Sequence, residues 1–231
     1  AGTLDIAAAT TLTAGASLSA AHVLDTANLT LSGVAITNGA GDIFTLAAAS
    51  GATTVLTYAT TGTGLTNNGT ILASGAGTED IKVATTNAGS ISASSGTLAF
   101  LNTVSNTGTI DAASGLISFA TNVAGTGTLD VGTTGTLSLA LGAATGQGVD
   151  FLGSTGLLDL AAPLDFAGTI TGFGGSDMVD LLNTTYTTDS YANNVLTVKN
   201  GSTTVASLHF AGASNSFSLS EVGSTTVIKF G

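Results

Sequence analysis

The chain has no cysteine, no tryptophan and no arginine, and only one proline, Pro163, in 231 residues. Without cysteine there is no disulfide framework, no thiolate metal centre and no cysteine nucleophile. Its only lysines are Lys82, Lys199 and Lys229. Three cations cannot neutralise a phosphate backbone, which argues against nucleic acid as a partner. Charged residues make up 7% of the chain, against about 25% in an ordinary soluble domain. No apolar run approaches the ~18 residues of a membrane-spanning helix. Aromatics, at 5%, are too sparse for the girdles of an outer-membrane barrel, so no membrane insertion is expected.

What the chain does have is glycine, 32 residues of it, set among Thr, Ser, Ala, Leu, Val and Ile. Its net charge is −11, from carboxylates scattered along the length. Ala1-Gly2-Thr3 fits either a mature end left by signal-peptide cleavage or the edge of a fragment.

The glycines are periodic. Gly69, Gly89, Gly108 and Gly127 each precede a Thr or Ser and then an Ile or Leu, at spacings of 20, 19 and 19 residues. An offset series, Gly96, Gly115, Gly135 and Gly156, runs at 19, 20 and 21. A looser series, Gly15, Gly33, Gly51 and Gly69, runs at 18. Two interleaved series with one period imply a unit of about 19 residues holding two turn–strand modules. Within each module apolar and polar residues alternate, as in Thr128-Leu129-Asp130-Val131, which is the pattern of a strand with one buried face. Strands of four or five residues cannot bury that face alone, whereas stacked copies can. The predicted fold is all-β: a right-handed parallel β-solenoid (β-helix) with coils of about 19 residues. Asn67, Asn87 and Asn106 each sit two residues before a series glycine. With coils about 4.8 Å apart, their amides should stack as a structural ladder.

After Ala161 the composition changes, so residues 1–162 read as solenoid repeats and residues 163–231 as a strand-rich C-terminal cap. Val195–Lys199 and Thr203–Phe210 flank Asn200-Gly201, a strong hairpin signal. Phe217–Leu219 and Thr226–Phe230 add two strands.

The segments Asn106–Phe119 (NTGTIDAASGLISF) and Gly125–Val131 (GTGTLDV) resemble the passenger repeats of bacterial autotransporters and large secreted adhesins. Pro163–Leu181, followed by VLTVKNG and VASLHFAG, is similar to a C-terminal module of repetitive extracellular proteins from Gram-negative bacteria. Together these cover roughly residues 60–231. The resemblance implies a secreted, surface-exposed solenoid, with no partner specified. An autotransporter also has a translocating barrel, which for this protein would have been removed or would lie outside this chain.

Candidate chemistry is thin. His22 and His209 are the only imidazoles, and a catalytic or metal role needs convergent partners. Gly172–Asp177 with Asp180 is similar to a single imperfect copy of a calcium-binding Gly/Asp turn, so Asp177 and Asp180 are the candidate calcium ligands. An Asx-bonded turn is the competing reading. Glu79-Asp80 is a second candidate, read as a loop tip. Asp111, Asp130, Asp150 and Asp159 are the acids a polysaccharide-cleaving β-helix would draw on. Such enzymes also use Arg or Lys to steady a developing anion, and no lysine lies near these acids in sequence.

The expected function is therefore structural and non-enzymatic. The chain reads as an extracellular bacterial protein that assembles head to tail into filaments of a surface or biofilm matrix, or serves as an adhesive rod. Its expected partner is itself, with surface glycans second. The alternative is a polysaccharide-binding or polysaccharide-degrading β-helix, which a cluster of acids and aromatics on one face would favour.

Overall fold

The computed structural model describes residues 3–13, 22–58, 64–140, 147–212 and 216–231. Every regular element among them is a β-strand. The strands wind into about eight turns of a parallel β-solenoid, with successive coils about 20 residues apart. Each coil places one strand in a first sheet and one in a second. Five coils add a strand to a third sheet, built from Ile36–Asn38, Leu65–Asn67, Thr85–Asn87, Val104–Asn106 and Val123–Gly125.

Register follows from alternation. Thr109–Ala112 pairs with Thr128–Val131 so that Ile110 meets Leu129 inside and Asp111 meets Asp130 outside. The same pairing carries Leu98, Ile117, Leu137, Leu158 and Val179 up the interior of the second sheet, all buried. A one-residue slip would turn this whole column to solvent, which fixes the register. Phe100 and Phe119 also fall in register and stack at 5.1 Å with their planes 9° apart.

Both strong glycine series occupy equivalent corners. A Cβ on Gly89 would lie 2.1 Å from the Gly69 carbonyl oxygen, one on Gly108 2.0 Å from that of Gly89, and one on Gly127 2.3 Å from that of Gly108. The corner stacks backbone directly on backbone, so no side chain fits there. The looser series is not a series in space. Gly33 follows a strand of the second sheet (Leu29–Leu31), Gly51 precedes another (Thr53–Tyr58), and Gly69 precedes a strand of the first (Thr70–Ala73). Gly15 lies outside the described residues.

The parallel stack runs past the change in composition at Ala161. Thr169–Thr171 and Met178–Leu181 still pair in parallel with the coil before them. The cap proper then begins. Thr188–Ala192, Val195–Asn200 and Thr203–Phe210 form an antiparallel meander that closes the first sheet. Phe217–Val222 and Thr225–Phe230 form the hairpin that closes the second. Phe173, Phe210, Phe217 and Tyr191 seal this end, with neighbouring ring centroids 4.7–6.2 Å apart.

Candidate functional site

The most ordered polar feature is the predicted amide ladder, and it is longer than the sequence suggested. Asn38 Nδ2 donates to Asn67 Oδ1 at 2.7 Å, Asn67 Nδ2 to Asn87 Oδ1 at 2.6 Å, and Asn87 Nδ2 to Asn106 Oδ1 at 2.8 Å. Each Nδ2 also donates to a backbone carbonyl of the first sheet, on Thr70, Ser90, Thr109 and Thr128 in turn. Asn67, Asn87 and Asn106 have no exposed surface. On the next rung the residue in register is Gly125, which has no side chain. Gln147 fills the vacancy from further along the chain. Its Oε1 accepts from Asn106 Nδ2 at 3.2 Å, and its Nε2 donates to the carbonyls of Asn106 (2.9 Å) and Ala124 (3.3 Å). The ladder is internal and fully engaged, which makes it a structural spine and not a ligand site.

Asp177 and Asp180 do not converge. Met178 and Asp180 face outward on their strand, while Val179 and Leu181 face inward. Asp177 turns inward at the strand's start and is fully buried. Its Oδ1 accepts the Gly156 amide at 2.8 Å and its Oδ2 the Gly174 amide at 3.1 Å. It stands in register at the corner that Gly96, Gly115, Gly135 and Gly156 occupy in earlier coils. Two amide donors satisfy the carboxylate as a turn clasp, the Asx-type arrangement. Among the described residues no group of three or more His, Asp or Glu side chains is gathered to hold a metal.

Glu79-Asp80 is not a loop tip. Both residues lie within the strand Thr78–Ile81, with Glu79 inside and Asp80 outside. Asp80 makes a 3.8 Å ion pair with Lys82. Glu79 is 3% exposed and accepts hydrogen bonds from the Ala48 amide and the Thr54 hydroxyl. Burial, with Asp25 and Asp80 adding repulsion, pushes its carboxyl up to about 7.

The acids considered for catalysis separate into two rows. Asp111, Asp130 and Asp150 lie on adjacent strands of the first sheet's outer face, and Thr171 Oγ1 donates to Asp150 at 2.9 Å. Burial first, then Asp111 and Asp150, pushes Asp130 up to about 6. Asp159 is on the second sheet, where it is in register with Asp180. Burial, then Asp180, pushes it up to about 6. Lys229 opposes the upward shift that burial gives Asp180. His22 and His209 lie far apart on the first sheet and meet Thr45 and Thr169, each at 3.1 Å.

No protein-family model and no curated protein matches the chain. A groove of about 400 Å³ lies between the Pro163 turn and the cap, lined by Leu164, Asn183, Thr185, Asn200 and Thr203 among others. Asn200 Nδ2 already donates to Thr185 Oγ1 at 2.9 Å.

Sequence reasoning missed Asn38 because its partner is 29 residues away, not 19 or 20. A signal was present: Ile36-Thr37-Asn38 repeats the apolar–hydroxyl–Asn pattern of Leu65-Thr66-Asn67 and Val104-Ser105-Asn106. Gln147 carries no comparable signal.

Proposed function

We propose that this chain is an extracellular structural protein of bacteria, a rod that associates head to tail into filaments of a surface or biofilm matrix or presents an adhesive surface. One observation carries the reading. In the first sheet two antiparallel reversals separate the last parallel pairing from Thr188–Ala192, so this outermost strand again runs in the direction of the coils. Two reversals do the same for Phe217–Val222 in the second sheet. Thr3–Ile6 and Thr10–Leu12 form the opposite edges. The first sheet extends one strand further than the second, which makes Thr188–Ala192 the leading edge. Thr3–Ile6 of a second copy laid against it continues the sheet in parallel. Such a heterologous contact does not close on itself and yields filaments.

The polysaccharide reading draws support from the Asp111–Asp150 row alone. Among the described residues no aromatic stands in register beside those acids on the outer face, and the phenylalanines of these coils are buried. Light scattering and negative-stain microscopy of the purified chain test the proposal. Linear particles that lengthen with concentration are expected, and removal of residues 1–20 should abolish them while the remaining coils stay folded. A chain that remains monomeric at high concentration overturns the filament and leaves the adhesive rod as the reading.

A further inference from the structure

The solenoid interior is apolar in most coils, and in one place it holds two acids close together. On the inner face of the first sheet, Ile6, Asp25, Leu46 and Ala73 are in register. On the inner face of the second, Thr54, Glu79, Leu98 and Ile117 are in register. Two carboxyls thus occupy columns that are otherwise mainly aliphatic. Asp25 is 2% exposed and Glu79 3%. Both lie near the same corner, around the Ala47–Ala52 turn of the intervening coil, whose Ala48 amide and following Thr54 hydroxyl bond to Glu79. Asp25 Oδ1 accepts the Ala27 amide at 3.2 Å.

No cation faces the pair from the strands around it. His22, on the strand of Asp25, points outward and bonds to Thr45. Asp80 is outward on the strand of Glu79, and Lys82 just beyond it pairs with Asp80. Asp5 on Thr3–Ile6 is exposed, Asp42 precedes Ile43–Leu46, and Tyr58 is 39% exposed at the end of Thr53–Tyr58. The strands Leu29–Leu31, Thr70–Ala73 and Thr97–Phe100 carry no titratable side chain.

We propose that Asp25 and Glu79 form a proton-held latch that keeps the amino-terminal coils closed in acid and releases them when the medium turns alkaline. Protonated, the pair is neutral and its hydrogen bonds fit an apolar interior. Deprotonated, it puts two like charges into that interior without a counter-ion, a state that water entry through a locally opened coil relieves. Burial pushes Asp25 up to about 6 and Glu79 to about 7, which places the change near neutrality. Asp177, the buried acid of the other end, is single and held by two amides, so that end lacks the pair.

Hydrogen–deuterium exchange read by mass spectrometry tests this on the full chain at pH 5.5 and pH 8.5, corrected for intrinsic exchange rates. Protection within residues 22–58 should fall about tenfold or more on going to pH 8.5, while residues 97–140 change less than about threefold. In Glu79→Gln, residues 22–58 should lose most of that response. Should Glu79→Gln misfold, Asp25→Asn removes the second charge and is read in the same way. A wild-type response absent from 22–58, or one that persists unchanged in the substituted chain, overturns the proposal.

Discussion

Replacing Asn87 by alanine removes the middle rung of the ladder, and the structure sets the size of the effect. Asn87 accepts from Asn67 at 2.6 Å and donates to Asn106 at 2.8 Å and to the Thr109 carbonyl at 3.2 Å, all without exposed surface on the three asparagines. The truncation leaves one Asn67 N–H and the Asn106 Oδ1 without a partner in a cavity closed to water. Each orphaned buried group costs about 1–3 kcal/mol, so the substitution should destabilise the protein by about 4 kcal/mol. Asn38→Ala, at the end of the ladder, orphans the Asn67 Oδ1 and should cost about 2 kcal/mol. Asn87→Asp should cost more than Asn87→Ala at neutral pH, because both lose the N–H to Asn106 Oδ1 but the carboxylate also buries a charge against that oxygen and the Thr109 carbonyl. Acid should narrow that gap, since a protonated carboxyl can donate again. Guanidinium titrations followed by circular dichroism at pH 4 and pH 7 measure all three. Equal losses at Asn38 and Asn87, or a loss below about 1 kcal/mol at Asn87, would refute a cooperative spine.

The glycine corner gives a sharper contrast. Gly108→Ala places a Cβ 2.0 Å from the Gly89 carbonyl oxygen and should cost several kcal/mol or prevent folding. Gly201→Ala, at a φ of +60° with nothing within 4 Å of the new Cβ, should cost about 1 kcal/mol in the same denaturation assay. Stability should fall as pH rises. Glu79, Asp130 and Asp159 bind protons more tightly when folded than when unfolded, so their stabilisation is complete below about pH 4 and is lost through pH 6–7. Melting temperatures across pH 4–8 should therefore decline, and a maximum near pH 7 would contradict the assignment. Asp177→Ala removes the acceptor for two amides and should lower the melting temperature, whereas a chelator should leave the wild-type melt unchanged. A melt that drops on chelation and recovers with calcium would restore the metal reading.

The sequence revealed most where the coil length was constant. From Gly69 to Gly156 the two glycine series mark true corners, where an added Cβ would meet the preceding coils at close range. Strand alternation in the same region follows from one rule, apolar inside and small polar outside. The N-terminal coils were misread because the 18-residue spacing of Gly33, Gly51 and Gly69 is accidental, and the real step there is longer. Glu79 was placed at a surface because a charged residue is ordinarily solvated. Only the register shows it standing in a leucine column. The glycine-rich surroundings of Asp177 suit a calcium ligand or an Asx-bonded turn, and its two amide donors at the corner it shares with Gly156 are those of the turn. Gln147 could not be foreseen, since the gap it fills is created by Gly125 and is visible only in three dimensions.

The third coil advances the first sheet by 27 residues, from Ile43 to Thr70, where the next coil needs 20. Both coils nonetheless keep their amide rungs in line. Much of the excess lies between Tyr58 and Leu65, where six residues intervene against the three between Ile81 and Thr85. The lattice counts rungs, not residues. A coil can therefore take in extra residues without moving the rungs it joins, and a foreign peptide grafted into one leaves its neighbours in register. Repeated along the rod, such insertions would display cargo at intervals set by the strand spacing, about 4.8 Å per coil.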